Sequence, residues 1–216
     1  GNAEGGSMVK HDNPVADERG GLLIACGAMG VLGTLAPVAA MGLAAATAQH
    51  DMIADTISDL GRGRHHVIMD SGFYIASAGL LALAIGAAHL HLGRWGWSVG
   101  IFCLAGLALV ITMIGLWDFF HRRLAEGEDL SVHTRLTFAL GPLYLTGPLL
   151  MAKGARRVAH GYSVLFVVSA LLWIAFSTAF KLAPDGYDGL LEKIAVAATL
   201  LWTMPLGWLL FRRGST

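Results

Sequence analysis

The chain has 216 residues, of which 55% are hydrophobic and only 14% are charged. Soluble domains contain about 25% charged residues, so this composition excludes a typical water-soluble fold and an intrinsically disordered chain. Lys and Arg together number 15, as do Asp and Glu, and the formal net charge is therefore zero. We expect no nucleic-acid partner and predict a polytopic membrane protein whose partners are membrane lipids.

Six long apolar segments follow a polar N-terminus. Residues 1–20 are interpreted as the remainder of an expression tag and a flexible segment. Each apolar segment has about 20 residues or more, enough for a helix to cross a hydrocarbon core of about 30 Å. The segments cover residues 21–48, 67–92, 96–120, 133–152, 162–182 and 190–211. Because lipid permits only helices or closed barrels, the sequence predicts an all-α bundle of six transmembrane helices over 21–212, with a tail at 213–216.

Basic residues near the segment ends predict the orientation of this bundle. Six spans would place both termini on the same side, together with the Arg156-Arg157 and Arg212-Arg213 pairs. The positive-inside rule then predicts that both termini are cytoplasmic. Three tryptophans are predicted to form an interfacial aromatic belt on that side: Trp95, Trp97 and Trp208.

Small residues in the first two segments predict where helices approach each other closely. Glycine lets two helix backbones come into direct contact in a membrane. The glycines concerned are Gly27, Gly30, Gly33, Gly79 and Gly86.

Histidines, acidic residues and hydroxyl residues concentrate at the ends of the helices on the side opposite the termini. An ionisable group within a membrane span is costly, so it faces the bundle interior or a cavity. The candidate site residues of this polar face are Ser58, Asp59, Gly61, His66, Asp70, Tyr74, Asp118, His121, His133 and Glu192. A stripe at four-residue spacing in the fifth segment faces the same way: Ser169, Trp173, Ser177 and Lys181. We predict a polar pocket that opens on the extracytoplasmic side.

Proton transfer is one chemistry that the polar face suggests. Asp59, His66 and Asp70 are the candidate catalytic residues, and Asp70 lies one turn inside an apolar helix, four residues after His66 on the same face. Ser58 and Asp59 would also cap the first loop. A serine nucleophile, Ser58 or Ser71, acting with His66 and Asp70 is an alternative.

Ligand or metal binding is the other chemistry. Asp118 and His121 are three residues apart on one helix face, and His133 begins the next span, a donor set that suits zinc. Four further residues are candidates for ligand binding: Ser58, Gly61, Tyr74 and Glu192.

Haem ligation would instead use His66 and His133 at one depth, with His89 or His91 near the other face. We do not expect haem, because His160, the remaining histidine of that face, is predicted to lie in a loop.

The segment Thr56-Ile57-Ser58-Asp59-Leu60-Gly61 resembles a motif of a family of uncharacterised six-helix prokaryotic membrane proteins. The family motif reads Thr-Ile-Ser-(Glu/Asp)-Leu-Gly and follows the first helix. Three later segments are similar to the family as well: Asp70-Ser71-Gly72-Phe73, Gly115-Leu116-Trp117-Asp118 with His133, and Gly189-Leu190-Leu191-Glu192-Lys193-Ile194 with Trp202. The chain departs from the family pattern at Asp70, where the family usually has Asn, and near Trp117, where the family has Phe-Pro.

This resemblance implies a location in the prokaryotic cytoplasmic membrane and a lipid-related role. The family is remotely similar to DRAM-type membrane proteins and to proteins that remodel lipid-anchored glycans. The predicted function is therefore binding or modification of a lipid or lipid-linked headgroup in the polar pocket, and whether the protein is an enzyme stays open. The alternatives are a structural or regulatory membrane protein, in which the polar face only orders loops, and a haem-b electron carrier.

Overall fold

The computed structural model describes residues 19–47, 49–62, 66–121, 130–184 and 186–216. Over these ranges the chain forms seven helices and no strand. The helices are α1 (Gly20–Thr47), α2 (Ile57–Arg62), α3 (His66–His89), α4 (Trp95–His121), α5 (Leu130–Ala155), α6 (His160–Leu182) and α7 (Asp188–Gly214). Residues 1–18 of the N-terminal segment, which was interpreted as a tag remainder and a flexible segment, lie outside the described residues.

Five of the described helices are long and apolar enough to cross a membrane: α1, α3, α4, α6 and α7. The all-α class and the polytopic membrane character predicted from the sequence are thereby confirmed. The remaining predicted segment, 133–152, also forms a helix, α5, which has 26 residues and two internal prolines, Pro142 and Pro148. α5 is not among the five described helices that are long and apolar enough for a membrane span.

The six long helices form a closed ring in which each helix packs against its neighbours in the chain, and α7 returns to pack against α1. The short helix α2 lies at one end of the ring, where it contacts α1, α3 and α7. Its apolar side chains Ile57 and Leu60 are buried against Ala44 of α1 and Met69 of α3. The other end of the ring is filled by fully buried large side chains, which include Trp97, Met151, Trp202, Leu206 and Leu210.

Glycines bring α1 into close contact with both of its neighbours. A Cβ atom added to Gly33 would lie 2.6 Å from the Cα atom of Gly79 on α3. A Cβ atom added to Gly27 would lie 2.5 Å from the carbonyl oxygen of Gly207 on α7. Only glycine fits such backbone contacts. The predicted close approach at these glycines is confirmed.

Two predictions about the end of the bundle near the termini are wrong. Trp95 and Trp208 are exposed, as an aromatic belt requires, but Trp97 is buried and its Nε1–H donates to the carbonyl of Ala87 at 2.8 Å. This hydrogen bond satisfies the indole N–H, which allows the ring to enter the core. His160 is the first residue of α6 and does not lie in a loop.

Candidate functional site

A cavity of about 200 Å³ lies inside the ring at the α2 end, and all seven helices contribute to its lining. Most of the wall is apolar. Polar residues, Lys193 among them, line the end nearest α2, and we call four of these residues the cavity mouth: Ser58, Asp118, His133 and Glu192. Along α7 the lining continues from Glu192 to Thr203, which corresponds to a depth of about 16 Å at 1.5 Å per residue.

A groove of about 790 Å³ lies beside the cavity and is lined chiefly by α5 and α6. The cavity and the groove share several lining residues, among them His133, Thr137, Leu140, Trp173 and Glu192. The groove continues past Ser177 to Lys181 at the end of α6. The groove therefore adjoins the cavity between α5 and α6.

Asp118 and His133 form a contact between α4 and α5 at the cavity mouth. The Nδ1 atom of His133 lies 3.0 Å from Oδ1 of Asp118, and the histidine is buried. Two of the three predicted zinc ligands are thus in contact, whereas the side chain of His121 lies outside the described residues. In the described part of the chain, no three His, Cys, Asp or Glu residues are grouped closely enough to hold a metal ion. The zinc site stays a prediction.

The loop between α1 and α2, together with α2 itself, covers the α2 end of the ring, and we call residues 49–62 the loop cap. Asp51 organises the loop, because its Oδ1 atom accepts hydrogen bonds from the backbone N–H of Ile53 at 2.8 Å and of Ala54 at 3.2 Å. These two bonds hold the pKa of Asp51 below its usual value. Asp55 in turn accepts a bond from the backbone N–H of Asp51 at 2.8 Å and lies 3.7 Å from the ring of His50.

The motif segment at the start of α2 forms a capping box. The Oδ2 atom of Asp59 accepts hydrogen bonds from the N–H and the hydroxyl of Thr56, both at 2.8 Å, and Thr56 Oγ1 accepts from the N–H of Asp59 at 3.2 Å. This reciprocal pattern satisfies N–H groups that a helix start otherwise leaves without partners. Glu192 of α7 satisfies another by accepting from the N–H of Ile57 at 2.7 Å.

Lys193 attaches the loop cap to α7. Its side chain is buried, and Nζ donates to the carbonyl oxygens of Met52 at 3.2 Å, Asp55 at 2.6 Å and Gly189 at 3.4 Å. The loop also lies directly on the backbone of Gly189, where an added Cβ atom would clash with the carbonyl of Asp55. Sequence reasoning missed this role, although a lysine near the start of an apolar helix was a visible signal for a buried partner.

The structure divides the predicted site residues into two groups. Ser58, Gly61, Asp118, His133 and Glu192 line the cavity. Among the described residues the lining of the cavity and the groove does not include Asp59, His66, Asp70 or Tyr74.

The predicted proton-transfer pair on α3 lies away from the cavity. Nδ1 of His66 is 3.9 Å from Oδ2 of Asp70, which is too long for a hydrogen bond. Tyr74, one turn further along, packs its ring over Gly115 of α4. The α3 residues that face the cavity are apolar, namely Phe73, Ala76 and Leu80.

Deeper in the cavity, polar side chains that were not predicted as site residues join the lining. Tyr144 forms a hydrogen bond with the side chain of Thr199 and packs against the rings of Trp173 and Trp202. Trp173 donates from Nε1 to the carbonyl of Gly141 at 3.1 Å. Their positions in regular helical stripes were readable from the sequence, but which stripe faced the interior was not.

Residues 31–209 match the family model described as "Protein of unknown function (DUF998)". The chain belongs to this family. The match confirms the prediction of an uncharacterised family, whereas the motif correspondence and the remote similarity to DRAM-type proteins stay predictions. No curated protein and no solved structure matches this DUF998 member.

Proposed function

We propose that the protein binds a membrane lipid, with an acyl chain in the cavity and the headgroup at the cavity mouth. The observation that carries this proposal is that the cavity adjoins the groove between α5 and α6 and shares several lining residues with it. A largely apolar space about 16 Å deep with its charged groups at one end matches an amphiphile in both polarity and length. The groove volume is also within the range of about 300–1,000 Å³ that small-molecule sites have.

Lateral entry follows from the position of the groove. A lipid that diffuses in the membrane would pass between α5 and α6 without exposing its acyl chain to water. Transfer of the chain from the bilayer into an equally apolar cavity contributes little free energy, because lipid tails are as apolar as the cavity wall. Contacts between the headgroup and the cavity mouth must therefore provide most of the selectivity.

Lipid content after purification tests this proposal. Ala197 of α7 lines the cavity, so Ala197→Phe would fill space that the acyl chain needs. Ala78→Phe is the matched control, because Ala78 is exposed on α3 and does not line the cavity or the groove. Mass spectrometry of extracted lipid should show a loss of about tenfold for Ala197→Phe, since overpacking a filled site costs about 1–3 kcal/mol. Equal lipid content in the two variants would contradict the proposal.

The groove allows a kinetic test of lateral entry. Ser177 lines the groove but not the cavity, so Ser177→Trp narrows the path while leaving the cavity volume unchanged. Exchange of bound lipid for labelled lipid in vesicles should slow severalfold, with an unchanged amount bound at equilibrium. Unchanged exchange rates would contradict entry between α5 and α6.

We further propose that α5 is the sixth membrane span, with both termini in the cytoplasm of a prokaryotic cell. Its 26 residues extend about 39 Å, and it occupies a place in the ring between α4 and α6. Met52 and Tyr187 are exposed on the α1–α2 and α6–α7 connections. If α5 crosses, Met52→Cys and Tyr187→Cys are both labelled by an impermeant maleimide in spheroplasts, and Ser215→Cys is protected. Labelling of Met52→Cys together with protection of Tyr187→Cys would contradict a sixth span.

A second candidate is a structural or regulatory role without a bound lipid. The hydrogen bonds of Thr56, Asp59 and Lys193 favour it, because the loop cap satisfies its own polar groups within the chain. Under this alternative, substitutions at the cavity mouth lower the melting temperature but leave the lipid content unchanged.

A further inference from the structure

We propose that the bound lipid carries a zwitterionic headgroup with a primary amine, in which the phosphate faces Lys181 and the ammonium faces Glu192. The inference rests on the proposed function and names its ligand class. Both residues line the groove between α5 and α6, so one headgroup can reach both. A phosphate and an ammonium in one ligand match the two opposite charges of the groove.

Lys181 provides the cation. Its Nζ atom lies 4.7 Å from the ring centroid of Phe138 on α5 and 4.9 Å from that of Phe180. Cation–π contacts of this length hold an ammonium in place without neutralising it. Among the ion pairs of the described residues, none involves Lys181. The hydroxyl residues Thr134 and Thr178 line the same groove and would donate to phosphate oxygens.

Glu192 provides the anion. Its Oε2 atom accepts from the N–H of Ile57 at 2.7 Å, and a carboxylate has room for several further donors. The neighbouring Lys193 directs its ammonium to three backbone carbonyls. The other carboxylate of the cavity mouth, Asp118, is already in contact with His133. Glu192 is therefore the acidic group of the mouth best suited to an incoming cation.

The two charges lie in the same groove but do not form an ion pair, although they interact electrostatically. A purely anionic headgroup would be repelled by Glu192, and a purely cationic one by Lys181. A primary ammonium donates three hydrogen bonds to acceptors such as the Glu192 carboxylate and the Ser58 hydroxyl. A quaternary ammonium has no N–H to donate, which favours ethanolamine-type over choline-type headgroups.

Binding of three probe lipids with identical acyl chains tests the inference. Phosphatidylethanolamine, phosphatidylglycerol and phosphatidylcholine are titrated into the full chain in detergent, and Kd is measured by native mass spectrometry. We expect phosphatidylethanolamine to bind about tenfold more tightly than the other two, as a charge-assisted hydrogen bond predicts. Glu192→Gln should remove this preference, because Gln still accepts from Ile57 but carries no charge. Lys181→Gln should weaken phosphatidylethanolamine and phosphatidylglycerol alike, by about tenfold.

Matched controls lie elsewhere in the chain. Asp188→Asn removes an acidic group from the first turn of α7, and Lys153→Gln removes a cation from the last turn of α5. Neither residue lines the cavity or the groove, and both variants should retain the headgroup preference. Lys181 is exposed, so the Lys181→Gln variant folds even if Glu192→Gln does not.

The outcomes separate the headgroup from the lipid site itself. Equal Kd values for the three lipids, or an unchanged preference in Glu192→Gln, would overturn the headgroup inference and leave lipid binding intact. Displacement of the lipid by soluble phosphoethanolamine at an equal concentration would also overturn it, since the headgroup alone would then be the ligand. Absence of binding for all three lipids, with no effect of Ala197→Phe on lipid content, would overturn the proposed function as well.

Discussion

The loop cap and the cavity mouth lie at the same end of the bundle and are built from the same residue types, but their hydrogen bonds have different partners. Asp51 and Asp59 of the loop cap, and Lys193 of α7 that attaches it, bond to backbone groups of the chain itself. At the cavity mouth, the Asp118–His133 pair and Glu192 face an open space. Polar groups that are satisfied within the chain hold the loop cap together, whereas groups with remaining hydrogen-bonding capacity beside a cavity are available to a ligand.

The two histidine–carboxylate pairs also differ in their position relative to the cavity. His66 and Asp70 lie four residues apart on one helix, and their side chains are 3.9 Å apart and away from the cavity. Asp118 and His133 lie on different helices, and their side chains meet at 3.0 Å in the cavity wall. Sequence proximity identified the first pair, while tertiary packing made the second.

Substitution of Lys193, which attaches the loop cap to α7, is expected to have the largest effect. Lys193→Met leaves the carbonyls of Met52 and Asp55 without their charged donor, and hydrogen bonds to charged groups contribute about 1.5–3 kcal/mol each. We expect a loss of about 3 kcal/mol in unfolding free energy, seen as a lower melting temperature in detergent. Lys153→Met, at the exposed end of α5, is the control. Similar melting temperatures for the two variants would refute the role of Lys193.

A substitution in each histidine pair sharpens the comparison between them. His133→Ala removes the contact between α4 and α5 and should cost about 1–2 kcal/mol of stability, together with bound lipid. His66→Ala should leave the lipid content unchanged, because His66 does not line the cavity. Mass spectrometry of co-purified lipid measures both variants. Loss of lipid in His66→Ala but not in His133→Ala would reverse the assignment.

The capping box predicts a smaller effect. Thr56→Ala removes the acceptor for the N–H of Asp59 and should lower the unfolding free energy by about 1 kcal/mol. Thr56→Ser keeps the hydroxyl and should retain most of the stability. The melting temperatures of Thr56→Ala and Thr56→Ser test this expectation. Equal melting temperatures would show that the capping box does not contribute to stability.

The smallest expected effect is the pH dependence at Asp51. The N–H groups of Ile53 and Ala54 lower the pKa of Asp51 in the folded protein. The pKa of an Asp in an unfolded chain is about 3.9. Its carboxylate therefore stabilises the loop above that pH, and the contribution is lost as the pH falls through the folded pKa. Asp51→Asn should show a slightly smaller drop in melting temperature between neutral and acidic pH. An identical drop in both proteins would contradict this assignment.

Much of the fold was predictable because long apolar segments have few alternatives in a membrane. The segment predicted over 67–92 forms α3 at His66–His89, and the one over 96–120 forms α4 at Trp95–His121. The short helix α2 was not predicted as a helix, although its Thr-x-x-Asp start is a recognisable capping signal. Trp97 was misassigned because an indole near a helix end fits both a membrane interface and a core whose backbone carbonyl accepts its N–H.

The candidate site was predictable only as a set of residue types at one end of the bundle. Which of them face the cavity depends on the rotation of each helix about its axis, and neighbouring residues point about 100° apart. On α3 this rotation is fixed by Gly72 and Gly79, which pack against Ala40 and Gly33 of α1. Phe73 then faces the cavity, and the polar residues His66 and Asp70 do not.

The sequence by itself determined a neutral, apolar chain of membrane-spanning helices with most of its acidic residues at the helix ends opposite the termini. Apolar length and local capping patterns act within one helix, so they can be read along the chain. Tertiary structure decided that α7 closes the ring against α1, that Lys193 attaches the loop cap, and that Asp118 meets His133 beside a cavity. These features depend on contacts between residues far apart in the chain, and only the packing of the helices brings such residues together.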